Sequence, residues 1–123
     1  MWKNVVATVV ILGIALFIAV RFSSHDGVLK TAWVSLEPTQ CHSNPWEGGN
    51  ALPEGVSEIE AIKTFYGGQG IIIYDVQTKP THEIVCMSCA CPRGDTLYIS
   101  VAVSDVQRML SQGFSNTEGP SLQ

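Results

Sequence analysis

Basic residues are scarce in this 123-residue chain: seven Lys and Arg stand against eleven Asp and Glu, a formal charge of −4. From Ser23 onwards the deficit deepens, since five basic residues (Lys30, Lys63, Lys79, Arg93, Arg108) face all eleven acidic ones, leaving −6. A surface of that sign is repelled by phosphodiester backbones and by anionic lipid, so nucleic acid is not expected as a partner. Charge of either sign is missing from Asn4 to Val20, NVVATVVILGIALFIAV. No polar stripe runs along this segment, whereas a core helix of a small domain normally carries one. Seventeen helical residues span roughly 25 Å, slightly less than a hydrocarbon core of about 30 Å. Trp2 and Phe22 extend the apolar length, and Lys3 and Arg21 can snorkel to the headgroups. No small-x-small cleavage site appears in the adjoining RFSSHDG, and the run exceeds a usual signal-peptide core of about 7–15 residues.

The expected organisation is therefore an uncleaved transmembrane anchor at 1–22, a linker at 23–27, a head domain at 28–113 and a flexible tail at 114–123. Lys3 on one side and Arg21 and Lys30 on the other nearly balance the positive-inside rule. A lone amino-terminal anchor most often exports the domain attached to it, which gives a single-pass membrane protein with an extracytoplasmic head.

Within the head, VLKTAWVSLEP reads as a strand with Val28, Ala32, Val34 and Leu36 on one face and Pro38 at its end. A long Gly-, Pro- and Asn-rich loop comes next, for which Trp46 is the natural packing clamp. Ser57-Glu58-Ile59-Glu60 is a capping box opening a helix whose inner face carries Ile59, Ile62 and Tyr66, stopped by Gly67-Gly68. Glu58 and Glu60 then fall on a solvated first turn, where negative charge is favoured, rather than in an acid–base pair. GIIIYDV and THEIVC are β-prone runs separated by QTKP, the pattern of a hairpin. TLYISVAV is a further strand, with Leu97, Ile99, Val101 and Val103 on one face. A second capping box, Ser104-Asp105-Val106-Gln107, opens a helix with Val106, Met109 and Leu110 inward and Gly113 at its end. The expected fold class is α+β: an N-terminal transmembrane helix, then a small antiparallel-rich sheet packed by two helices, in the order β-α-β-β-β-α.

Three of the four cysteines crowd into CMSCACPRGD, Cys86 to Asp95, and the fourth, Cys41, sits in the long loop. Cys91-Pro92-Arg93-Gly94 has type I turn chemistry, so the loop reverses and presents Cys86, Cys89 and Cys91 together. Two chemistries compete for these thiols. Cys41, Cys86, Cys89 and Cys91 can ligate a metal as four thiolates, with Zn²⁺ or an iron–sulfur centre as the alternative cofactor to none. Equally, they can form two disulfides, Cys41 pinning the long loop to the tip and the other two closing a small ring. Copper, recruiting Met87, His42 or His82, and thiol–disulfide catalysis at Cys86 and Cys89 are weaker fits. The second lacks a helix N-terminus to depress a thiol pKa. All these readings need Cys41 to reach the tip, which the strand topology decides. A hairpin through THEIVC places the tip where GIIIYDV begins; one continuous strand would place it at the other end, but Pro80 argues against that. Arg93-Gly94-Asp95 spells an adhesion tripeptide and reads here as turn chemistry.

QCHSNPWE (Gln40–Glu47) and CMSCACPRGDTLYISV followed by SDVQRMLSQGF resemble small single-pass membrane proteins of archaea that combine an N-terminal anchor, a Cys…Pro-Trp-Glu loop and a C-x-x-C-x-C tip. The resemblance covers most of the head and brings no catalytic residues with it. It implies that Cys41 and the tip belong together and that the head faces outward. The expected function is a non-enzymatic, membrane-anchored accessory protein, a subunit or assembly partner of a larger membrane complex. Ala15-x-x-x-Ala19 offers a small-residue face for helix packing. The alternatives are a metal or electron-transfer module and a thiol–disulfide oxidoreductase.

Overall fold

The computed structural model describes residues 28–83 and 86–121. The expected anchor at 1–22 and linker at 23–27 lie outside the described residues. Among those described, no helix is long and apolar enough to cross a membrane.

Four antiparallel strands form one sheet: β1 (Thr31–Leu36), β2 (Ile73–Pro80), β3 (Asp95–Ala102) and β4 (Ser115–Thr117), in the spatial order β2-β3-β1-β4. Two short helices, α1 (Glu58–Gly67) and α2 (Val106–Leu110), complete it, with single 3₁₀ turns at Pro45–Glu47 and Val103–Asp105. β1, α1 and β3 form where patterning places them, whereas β2 begins within GIIIYDV and continues through QTKP, the expected turn. Alternation in β3 sends Leu97, Ile99 and Val101, all fully buried, to the core face, opposite Val34 of β1. Ser57 caps α1 by accepting the Glu60 N–H at 3.2 Å. Ile62 and Tyr66 of α1 are fully buried, while Ile59 stays exposed. A register shift between Ile73 and Asp75 moves β2 by one residue. Ile73 and Val76, three apart, thereby both face the core. Trp46, Val106, Met109 and Phe114 close the cluster. Each such large apolar side chain contributes about 1.5–3 kcal/mol when fully buried.

The expected β-α-β-β-β-α order is wrong in two places. Thr81–Glu83 and Cys86, the described part of THEIVC, are not strand. The Thr81 and His82 amides both donate to the Gly94 carbonyl, at 2.9 and 3.2 Å, which bends the backbone away from any ladder. β2 instead runs through Pro80, its last residue, which pairs with Asp95. Pro80 is tolerated there because β2 is an edge strand and a missing N–H on its outer side breaks no rung. The second error is the tail. Phe114 is 5% exposed, and Ser115–Thr117 pair with β1 as β4. The chain then crosses the outer face of the sheet, with Gly119 (φ +102°) so close to Trp33 that an added Cβ would lie 2.8 Å from the indole. The Lys79 ammonium donates to the Ser121 carbonyl. Nor is the second capping box formed: Ala102 and Asp105 make no side-chain cap, and the 3₁₀ turn Val103–Asp105 leads directly into α2.

The Tyr66 hydroxyl is buried with no hydrogen-bond partner among the described residues, and burial pushes its pKa up to about 12. Tyr66→Phe removes an unsatisfied polar atom and keeps the ring that packs edge-on against Phe65 and Phe114. Urea unfolding of the full chain in mild detergent should show stability unchanged or raised by up to about 1 kcal/mol. A loss of that size instead would mean the hydroxyl is satisfied.

Candidate functional site: the cysteine tip and its clasp

β1 and β2 both run antiparallel to β3, so both end where β3 begins. The loop after β1 and the β2–β3 connection therefore leave the sheet at the same end. Backbone pairing joins them directly. Thr39 bridges Pro92, the Gln40 N–H donates to the Cys91 carbonyl at 3.0 Å, and the Arg93 N–H to the Pro38 carbonyl at 2.8 Å. The Gln40 side chain adds a bond to the Cys86 carbonyl at 2.9 Å. Cys41 thus meets the tip because β2 runs the full way to it, the topology that Pro80 argues against in the sequence.

All four cysteines form disulfides: Cys41–Cys89, with Cα atoms 5.0 Å apart, and Cys86–Cys91, at 6.1 Å. The reversal that permits this is a turn at Ser88–Cys91, closed by the Cys91 N–H on the Ser88 carbonyl at 2.9 Å, not the expected turn at Cys91–Gly94. Cys86 and Cys89, the C-x-x-C pair, belong to different bonds. A thiolate site for Zn²⁺ or iron–sulfur would need the same four sulfurs, which as disulfides are not thiolates and do not fit either group. Among the described residues, no group of three or more His, Cys, Asp or Glu is placed to hold a metal ion.

Asn44 aims Cys41. It is 4% exposed, accepts the Thr39 N–H at 2.9 Å, and donates to the Thr39 carbonyl at 3.1 Å and to Glu47 Oε2 at 2.7 Å. Glu47 reaches back to the Asn44 N–H at 3.2 Å and lies 3.3 Å from His42 Nδ1. Across this tight turn Cys41 (φ +60°) and His42 (φ +55°) both hold left-handed backbone, a cost of roughly 1–3 kcal/mol each that the surrounding bonds sustain. The sequence signal for it, N-x-x-E in NPWE, has the spacing of a capping box.

Behind the tip stands a clasp centred on Arg93. Its guanidinium donates to both Glu58 oxygens, at 2.9 and 3.0 Å, and to both Asp95 oxygens, at 2.8 and 2.7 Å. Trp46 Nε1 donates to Glu58 as well, at 3.2 Å. Glu58 is therefore not the solvated first-turn carboxylate that helix periodicity predicts. It is half-buried and ties the N-terminus of α1 to the tip, while Glu60 remains exposed. The Asp95 bond, then the Glu58 bond, hold Arg93 protonated well above its ordinary range. Arg93 in turn holds the Asp95 carboxyl below the usual carboxylate range. Arg93-Gly94-Asp95 is folded on itself and offers neither charge freely.

No protein-family model matches the chain, and no curated protein and no solved structure matches it either.

Two outcomes test this site. Cys41–Cys89 spans 48 residues of sequence and Cys86–Cys91 spans 5, so chain entropy assigns about 4 and about 2 kcal/mol to them. Replacing Cys41 and Cys89 by Ser should cost about twice as much stability in urea unfolding as replacing Cys86 and Cys91. Equal losses would show that the large ring is not what constrains the unfolded chain. Asp95 titrates lower folded than unfolded, so its bond to Arg93 stabilises in full above the ordinary aspartate pKa of about 3.9 and is lost as pH falls through the folded value. Asp95→Asn should therefore be less stable at neutral pH and show a flatter decline as pH falls below about 4. Parallel declines would remove Asp95 from the acid response.

Proposed function

We infer that the chain is a membrane-anchored accessory protein, without an enzymatic role, whose disulfide-stapled head stands outside the cytoplasm as part of a larger membrane complex. One observation carries the reading: all four thiols are consumed in two disulfides, bonds that form and persist in oxidising compartments. The uncharged run Asn4–Val20 supports retention at a membrane. The clasp supports a scaffold role, because the half-buried carboxylates of Glu58 and Asp95 are both spent on Arg93. Thiol–disulfide exchange at Cys86 and Cys89 would require those two to form one reversible bond, and each is bonded elsewhere. The resemblance to small archaeal membrane proteins agrees with an outward head.

Protease added to sealed, right-side-out membrane vesicles should cut the head, and mild-detergent extracts should carry the chain in a complex with other membrane polypeptides. A protected head would overturn the outward placement. Recovery solely as a free monomer would overturn the accessory role.

A further inference from the structure

The end of the sheet opposite the disulfides carries large apolar side chains that nothing among the described residues covers. Thr31 pairs with Ala102 and Ile73 with Val101, so the start of β1, the end of β3 and the start of β2 lie side by side. The Val103 N–H, donating to the Lys30 carbonyl at 3.0 Å, extends that alignment by one rung. Flanking these strand ends are Val28, 82% exposed, Leu29, 58%, Ile72, 64%, and Val103, 51%. Three adjacent strands at about 4.8 Å spacing make this rim roughly 10 Å wide. Folding has left these side chains out while burying Ile71 and Ile73 on either side of Ile72.

What covers the rim is indicated by the chain that leads to it. Seven residues, 21–27, separate Val20, the last of the uncharged run, from Val28. Even fully extended they reach only about 25 Å. Acidic charge is denser at the opposite end, where Lys79 and Arg93 offset only part of it. Glu37, Glu47, Glu58, Glu60, Glu83 and Asp95 lie at the disulfide end or on the first turn of α1 beside it. The rim end has Lys30 and Arg108, the latter bound to Asp105 at 3.1 Å and to the Gln69 carbonyl. The other acids towards that end are Asp75, which accepts the Val76 N–H and the Gln77 amide, and Glu118, just beyond β4.

Resting on the anchored reading above, we propose that this rim is a membrane-seating surface: Val28, Leu29, Ile72 and Val103 insert into the interfacial layer of the bilayer, setting the sheet upright with the disulfide tip farthest from the lipid. The partner is a zwitterionic lipid surface, since a head of charge −6 gains nothing from anionic headgroups. Ile72 and Val103 are the informative positions, because tethering alone would bring Val28 and Leu29 near lipid.

The test uses the full chain, isotope-labelled, in nanodiscs of phosphatidylcholine containing a fraction of headgroup spin-labelled lipid. Seating predicts strong paramagnetic broadening of the Ile72, Ile73, Ala102 and Val103 amides and little at Met87–Ala90. The pair Ile72→Asp and Val103→Asp, both at exposed positions, should reduce the first set to the level of the second while the chain stays on the discs. If the chain co-elutes with discs and Ile72 and Val103 are no more broadened than Met87, the seating is overturned and the anchor stands. If the chain does not co-elute, the anchoring itself fails, and the seating with it.

Discussion

The placement of β3 between two antiparallel neighbours is the constraint on which the rest depends. Because β1 and β2 each pair with it, their exits fall at its start and their entrances at its end. One end of the sheet thus collects two loops and all four cysteines, and the other collects the segment arriving from the amino terminus. Cross-strand hydrogen bonds from Gln40 to Cys91 and from Arg93 to Pro38 continue this order beyond the sheet, so the sulfurs are brought together by backbone already in register.

The cysteine end and the middle of the molecule are also stabilised by different physics. At the cysteine end, constraint comes from covalent bonds, the turn held by buried Asn44 and a charge-assisted clasp on Arg93. The clasp members are only half-buried, so solvent screens them and each pair contributes on the order of 1 kcal/mol. Their larger effect is geometric, since one guanidinium fixes α1, the tip and the first residue of β3 relative to one another. Through the middle of the molecule runs the apolar layer of Val34, Leu97, Ile99, Ile62 and Tyr66. A sheet this small, with so short an α2, leaves little redundancy in that layer.

Much of this was legible in the sequence wherever a single element decides its own shape. Alternation located β3 and its inward face as far as Val101, though Val103, expected inward, falls in the 3₁₀ turn and is exposed. Ser57 with Gly67-Gly68 bounded α1. What failed were features set by neighbours. Pro80 reads as a break only if its strand is flanked on both sides, and edge position removes that objection. Ser115–Thr117 has no apolar pattern and becomes a strand because β1 offers an unpaired side. Glu58 reads as solvated from helix periodicity alone, because the partner that buries it, Arg93, lies 35 residues away. At the cysteines, composition supplied the four residues and left disulfide and metal open. Whether Cys41 reaches the tip at all, which both chemistries require, depended on the strand directions, and one wrongly assigned strand, THEIVC, had reversed them.

The large ring closed by Cys41–Cys89 has a mechanical meaning. A pull between the amino-terminal segment and the carboxyl terminus passes from one cysteine to the other through a single covalent bond. The Pro45–Glu47 turn, α1 and β2 lie wholly inside the bypassed stretch, so tension reaches only β1, β3, α2 and β4. With 48 residues shunted at up to about 3.4 Å each, roughly 160 Å of contour cannot be drawn out while the bond is intact. More than half of the head is thereby shielded from any load transmitted along the chain.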